Sequence, residues 1–364
     1  MNNTDLLDSF FNKKQISINR GGIFDVQPGN LPENFDFDRI EGLMIGLAAG
    51  DSLGVSTESM PPGLRRVVYG EIKDYFSRWF GGKHVGYPSD DTQLAFWTLD
   101  QMIKDGGLDP EKLSKRFSSE RIFGIGRTVI KFLYNYKLRK LPWYKCGPRS
   151  AGNGALMRIA PMVIPYLKTG DKQMWVDTAL SAMITHNDSG SISACLSFVN
   201  IIWQVLKMDS PPEPSWWIDT YINTAKDLEI NHTYRAKSRK FRGYEGTIHE
   251  FVDKHVRETY ERDIPTFDAC KAWGSSAYLL ETVPSVLYIL MKHGNDPEEA
   301  IIRAINDTFD NDTIGAIVGA VVGALHGKKG IPKRWIENLS GRTSKDDDGK
   351  IFEILERAKN NFYI

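Results

Sequence analysis

Apolar residues recur at helical spacing along most of the chain, and strand-like alternation is scarce. Ile40, Leu43, Met44 and Leu47 mark the first helical face, with Gly42, Gly46, Ala49 and Gly50 among them. Such small residues let a neighbouring helix approach closely. Ser89-Asp90-Asp91-Thr92 supplies N-cap residues ahead of Leu94, Phe96, Trp97, Leu99 and Met102. Pro110 predicts the first turn of a helix through Phe117. Further helical patterns cover 174–184, 192–206, 277–291, 297–305, 313–325 and 350–359. The best strand candidate is 67–72. The pattern predicts a single all-α domain, spanning 38–364, with long functional loops and no repeat of fixed period.

Two stretches break this pattern. In 1–37 a short apolar cluster (Leu6, Leu7, Phe10, Phe11) is followed by Gly21-Gly22, Pro28-Gly29 and Pro32. These breakers forbid a long element, so an extended arm with at most one short helix is expected. Residues 208–246 read as the least regular part. They open with Pro211-Pro212-Glu213-Pro214 and carry Arg235, Lys237, Arg239, Lys240 and Arg242. Such a basic run is either a solvated surface or an anion- or partner-binding patch.

The 364 residues suffice for a sizeable core, with 41% hydrophobic and 25% charged residues. Lys plus Arg and Asp plus Glu balance at 46 each, which argues against a dedicated nucleic-acid binder. Cys146, Cys195 and Cys270 form neither a disulfide framework nor a zinc knuckle, so a reducing cytoplasm is expected. The N-terminus lacks a secretory pattern, and the longest apolar run, 314–325, is too short to span a bilayer. No membrane association is expected. His249-Glu250 does not complete a zinc-binding HExxH, because Asp253 occupies the fifth position. Neither a phosphate-binding P-loop nor a G-x-S-x-G elbow is present.

The chemistry concentrates in carboxylates. Ser89-Asp90-Asp91-Thr92 and Asp310-Asn311-Asp312-Thr313 each open a strongly apolar helix. Clustered carboxylates and hydroxyls suit Mg²⁺ or Mn²⁺, and their mutual repulsion calls for a cation. Each cluster on its own also serves as an ordinary N-cap. A third acidic element, Gly50-Asp51-Ser52-Leu53-Gly54 with Glu58 beyond it, reads alone as a helix terminus and a surface glutamate.

These pieces carry a resemblance. The chain resembles the ADP-ribosylglycohydrolase family, which includes the dinitrogenase reductase-activating glycohydrolases. The matching segments are GLMIGLAAGDSLGVSTE (42–58), SDDTQLAFW (89–97) and FGIGRT (123–128). GNGALMRIAP (152–161), ITHNDS (184–189), AYLLETVPSVLY (277–288) and DNDTIGAIVGA (310–320) complete the series. The resemblance implies an orthogonal multi-helix all-α fold around a binuclear Mg²⁺ or Mn²⁺ site. It implies Ser89, Asp90, Asp91, Asp310, Asp312 and Thr313 as metal ligands, with Ser89 where the family usually has Thr. Glu58, Asp91 and Asp312 are the implied catalytic residues. Gly152, Asn153, Gly154 and His186 would meet the substrate, as would Gly126 and Arg127 in a loop like that of the arginine-specific branch. Arg158 is expected to pair with a pyrophosphate or with a core carboxylate.

The implied reaction is hydrolysis of the bond between ADP-ribose and a protein side chain, arginine first among the candidates. The implied partner is therefore an ADP-ribosylated protein. Other readings are a hydrolase for another ADP-ribose linkage and a dead fold kept as an inhibitory binding module. The segment before the first motif, 1–37, also resembles the N-terminal extension of immunity proteins in the family. These counter ADP-ribosylating interbacterial toxins, with the extension plugging the toxin's active site. Phe10, Phe11, Ile23 and Phe24 would anchor such a toxin; otherwise the segment is disordered or packs on its own protein.

Overall fold

The computed structural model describes residues 2–77, 82–230 and 233–364. The chain is built from helices: α1 (Asn3–Asn12), α2 (Asp38–Gly54), α3 (Pro62–Tyr69), α4 (Asp90–Asp105), α5 (Pro110–Ser119) and α6 (Arg127–Leu133). These are followed by α7 (Gln173–Thr185), α8 (Ser189–Val205), α9 (Pro214–Ala225), α10 (Ile248–Phe251), α11 (Arg257–Glu261) and α12 (Thr266–Trp273). The last are α13 (Leu279–His293), α14 (Pro297–Asp307), α15 (Asn311–His326), α16 (Lys333–Glu337) and α17 (Lys350–Phe362). Among the described residues the one sheet is an antiparallel pair, β1 (Tyr234–Arg235) with β2 (Glu245–Gly246). The all-α expectation holds, and no described helix is long and apolar enough to cross a membrane.

The centre of the fold is the crossing of α2 and α15, and glycine makes it possible. A methyl group at Gly42, Gly46 or Gly50 would run into the backbone of Gly323, Gly319 or Gly315 respectively. The residues recur four apart on α2 and in descending order on α15, so the helices are antiparallel and in backbone contact. One turn further, Gly54 lies against Asp312. The C-terminal end of α2 is thereby brought beside the N-terminal end of α15. At the opposite end Arg39, in the first turn of α2, donates to Ala324 O at 2.8 Å and Val205 O at 2.8 Å. It thus satisfies carbonyls left open where α15 and α8 finish.

Two elements differ from the sequence expectation. The 67–72 stretch is not a strand: α3 runs to Tyr69, started by a proline in its first turn. Its Val67 and Val68 face solvent while Arg65 is buried, the reverse of what hydropathy suggests. Within 208–246, Pro214 opens a three-turn helix, α9, that buries Trp217, Ile218, Tyr221 and Ala225. That helical spacing is in the sequence, but the preceding prolines mask it.

Residues 2–37 contain one regular helix and then follow the surface of the body. The Asn2 side chain caps α1, accepting from Asp5 N. Phe10 packs its ring 5.7 Å from that of Trp143, and Phe24 lies 5.7 Å from Phe11. Asn3 Nδ2 donates to Asp177 Oδ1 on α7 at 2.8 Å, and Trp175 Nε1 donates to Val26 O at 2.9 Å. Phe10 and Phe24 are thus buried inside the protein itself, against the expectation that they face a partner, while Phe11 and Ile23 are half-buried.

Candidate active site

Asp51 organises one side of the site from the last turn of α2. It is fully buried. Its carboxylate accepts from Ser89 N at 2.9 Å, from Thr92 N at 3.0 Å and from Thr92 Oγ1 at 2.6 Å. A carboxylate from one helix therefore satisfies the open N–H groups at the start of another, α4. Ser89 is the N-cap of α4, and its hydroxyl also donates to Asp91 Oδ2 at 3.0 Å. The other oxygen, Asp91 Oδ1, is buried with no hydrogen-bond partner.

The start of α15 is arranged differently. Asp310 is its N-cap residue but makes no capping bond. Its Oδ2 instead accepts from Asn153 Nδ2 at 2.6 Å, across the cavity floor. Asp312 Oδ1 accepts from Thr313 N. Glu58 stands just after the short 3₁₀ turn Val55–Thr57 that follows α2.

Two acidic groups result, and they share a member. Oxygens of Asp51, Asp91 and Asp312 lie within 4.8 Å of one another, as do oxygens of Glu58, Asp310 and Asp312. Burial first, and neighbouring carboxylates second, hold Asp90, Asp91 and Asp312 well above the ordinary range. Burial pushes Asp310 up to about 6 even though Asn153 opposes it. Asp51 and Glu58 are raised by burial as well. A buried carboxylate oxygen without a donor, surrounded by like charges, is a poor place for protein alone. A hard divalent cation fits it, supplying the missing positive partner.

A cavity of about 540 Å³ opens over these groups, within the size range of small-molecule sites. Glu58, Asp90, Asp91, Asp310, Asp312 and Thr313 all line it. Ser89 is not among its lining residues, and its hydroxyl serves α4 and Asp91.

The rest of the lining is uncharged or basic. The 152–154 turn is held by a bridge between Gly152 and Tyr278, with Asn153 N donating to Ala277 O at 3.0 Å. A methyl group on Gly154 would come within 2.9 Å of His186 Cε1, so glycine is required for this close approach. His186 ends α7 and is buried, with Nδ1 2.9 Å from Thr185 Oγ1. Burial, helped by the nearby Arg158 charge, drives its pKa down to about 3, so the ring is neutral. Gly126, Arg127 and Thr128 line the cavity where α6 begins.

Arg158 meets neither expected partner. It is buried behind His186, donating to Ser181 Oγ, Ser181 O and Thr185 Oγ1, with its guanidinium 4.8 Å from the Phe117 ring centroid. Of the basic run, Lys237 lines the cavity, its ammonium 4.3 Å from the Tyr278 ring centroid. Asp51 is the main residue that sequence reasoning undervalued. The available signal was an aspartate on a helix otherwise made of glycine, alanine and aliphatic residues, a helix bound to be buried.

Residues 32–361 match the sequence model of the family described as ADP-ribosylglycohydrolase. The ADP-ribosylarginine hydrolase Tri1 of Serratia proteamaculans is 26% identical over 328 residues, covering 86% of this chain and 78% of that protein. The ADP-ribosyl-[dinitrogen reductase] glycohydrolase of Rhodospirillum rubrum is 25% identical over 327 residues, covering 88% of this chain and 97% of its own. A solved structure of an ADP-ribosylglycohydrolase-related protein complex has a TM-score of 0.65 at 23% identity, over 89% of this chain and 97% of that one. The last likeness speaks to the fold alone.

Proposed function

The chain belongs to the ADP-ribosylglycohydrolase family, which indicates ADP-ribosyl hydrolase activity, and on that premise we propose that it releases ADP-ribose from modified arginine side chains of proteins. The observation that carries the reading is the pair of acidic groups joined through Asp312 beneath the cavity. Asp51, Asp91 and Asp312 on one side, and Glu58, Asp310 and Asp312 on the other, would hold two Mg²⁺ or Mn²⁺ ions. Bound there, the cations would supply Lewis-acid charge to polarise oxygen groups of the substrate or a water.

The remaining steps fall to side chains of the chain itself. Asn153 donates to Asp310 and so favours its anionic form against the burial that raises it. Glu58, raised by burial in the metal-free protein, would hold a cation as the carboxylate anion. Proton transfer as the bond at C1″ breaks matters, because the guanidine is a poor leaving group unless protonated. The glycines at 152 and 154 let the backbone approach the nucleotide closely, and neutral His186 offers it a ring nitrogen without charge. The relative's printed name, ADP-ribosylarginine hydrolase, supports arginine over other linkages. Three buried free cysteines fit action in a reducing cytoplasm. No toxin-blocking role is proposed for 1–37, because Phe10 and Phe24 are already packed inside the protein.

The test follows ADP-ribose release from an arginine-ADP-ribosylated protein with Mg²⁺ or Mn²⁺, then with EDTA. Metal-dependent release is the expected result. Absence of release with either metal would overturn the arginine assignment.

A further inference from the structure

Arg65 is the one buried residue of α3, and it lies outside every motif of the sequence. Its side chain is fully enclosed, yet its partners are carbonyl groups. Nη1 donates to Ile305 O and Thr308 O, both at 2.7 Å. Nη2 donates to Met60 O at 2.9 Å and Thr57 O at 3.3 Å. The four acceptors belong to two separate segments. Thr57 and Met60 flank Glu58. Ile305 and Thr308 form the end of α14 and the turn that leads into Asp310.

A second residue ties the same two segments. Asn311 Nδ2 donates to Thr57 Oγ1 at 3.0 Å and to Ile305 O at 3.3 Å. Asn311 stands between the clustered aspartates in sequence, but its amide faces the Glu58 segment and not the cavity. The loop bearing Glu58 is exposed, and one side of it is held by these bonds. A planar guanidinium can satisfy four acceptors in two directions at once, which a lysine ammonium cannot.

We propose that Arg65 is a positioning residue: it clamps the Glu58 loop to the start of α15 so that Glu58 converges with Asp310 and Asp312 on one cation. This rests on the reading of that carboxylate group as the reactive metal centre. A residue one step removed from metal ligands acts by orienting them, so its loss shows in metal affinity as well as in rate.

The experiment compares full-length wild type with Arg65→Lys, using Mn²⁺ alone as the probe in a binding titration, alongside kcat and KM. The variant should bind Mn²⁺ about 10- to 100-fold more weakly and lose kcat on the same scale, the range seen for groups behind metal ligands. KM for the modified protein should stay within about threefold, because the cavity residues around Gly154 and His186 are untouched. Amide exchange should quicken at 57–60 and at 305–310, the two segments that Arg65 ties. Unchanged Mn²⁺ affinity and kcat with a lowered melting temperature would overturn the proposal and leave Arg65 a purely structural brace. If Arg65→Lys fails to fold, Thr57→Val keeps all four arginine bonds and removes the Asn311 contact together with the weaker bond from Thr57 Oγ1 to Gly54 O. Loosening this second tie should weaken Mn²⁺ binding several-fold; unchanged affinity would show that holding the Glu58 segment against the start of α15 does not govern the metal site, which overturns the proposal. A wild type that binds no Mn²⁺ removes the metal reading and this inference together. Wild-type binding with an unaltered Arg65→Lys removes the inference alone.

Discussion

The two halves of the cavity lining solve opposite electrostatic problems. One half gathers Asp91, Asp312, Glu58 and Asp310 over the buried Asp51: burial raises all five, and neighbouring carboxylates add to it at Asp91, Asp312 and Asp310. The other half, from Gly152 to Gly154 with His186, carries no anion, and its histidine is held neutral. The first half leaves Asp91 Oδ1 without a partner, whereas the second satisfies its polar groups locally through Thr185 and the Ala277 carbonyl. On the proposed reading, unmet demand for positive charge marks where a cation would sit. On the same reading, satisfied, close-packed backbone marks where the substrate would be held. Asn153 joins the halves, since its backbone belongs to one and its amide donates to the other.

Substitutions that separate rate from binding test this division. The largest effect is expected for Asp312→Ala, because that carboxylate belongs to both acidic groups. Turnover should be lost while helical circular dichroism is retained, and the loss should exceed that of Glu58→Gln, which touches one group. Full turnover by Asp312→Ala would break the assignment of this half to catalysis.

A smaller effect, of a different kind, is expected for Gly154→Ala. The added methyl group meets the His186 ring, and relief of such overpacking costs about 1–3 kcal/mol. The variant should raise KM about tenfold and leave kcat at saturation within about threefold, the signature of lost uniform binding. A fall in kcat with KM unchanged would show that the halves do not divide the labour as described.

The smallest effect concerns stability alone. His186 has a folded pKa of about 3 because it is buried and faces Arg158. Below its ordinary value near 6.5 the unfolded chain takes up the proton first, so acid favours unfolding. The stability contribution is fully present above about pH 6.5 and is lost as pH falls, at up to about 1.4 kcal/mol per pH unit. Chemical denaturation of wild type and His186→Gln between pH 7 and pH 5 isolates this slope by difference. Equal slopes would mean that His186 is not held neutral.

Much of the fold was legible because its signals are local. Ser89, Asp109 and Asp296 cap helices that begin where the sequence predicts, and Pro110 and Pro297 sit in first turns. The Gly42, Gly46 and Gly50 spacing announced a close helix contact without naming the partner. Failures came where tertiary contacts outweigh local preference. The Val67–Val68 pair suggested a strand, yet the burial of Arg65 fixes that segment as a helix with its valines outward. Arg158 was assigned to an anion, but hydroxyls, a carbonyl and an aromatic face satisfy it. Asp51 looked like a helix terminus because nothing near it in sequence reveals that α4 starts against it.

The sequence by itself determined most of the long helices, the all-α class and the acidic character of two helix starts, since each depends on residues within a few turns; α3 and α9 escaped it. Only the tertiary structure decided that Asp51, Asp91 and Asp312 share one site, that Asp310 turns to Asn153, and that Arg65 bridges to the Glu58 loop. The physical reason lies in the crossing of α2 and α15. Backbone contact at Gly46–Gly319 and Gly50–Gly315 sets the register that brings distant carboxylates together. That register comes from packing between segments far apart in the chain, which no local pattern encodes.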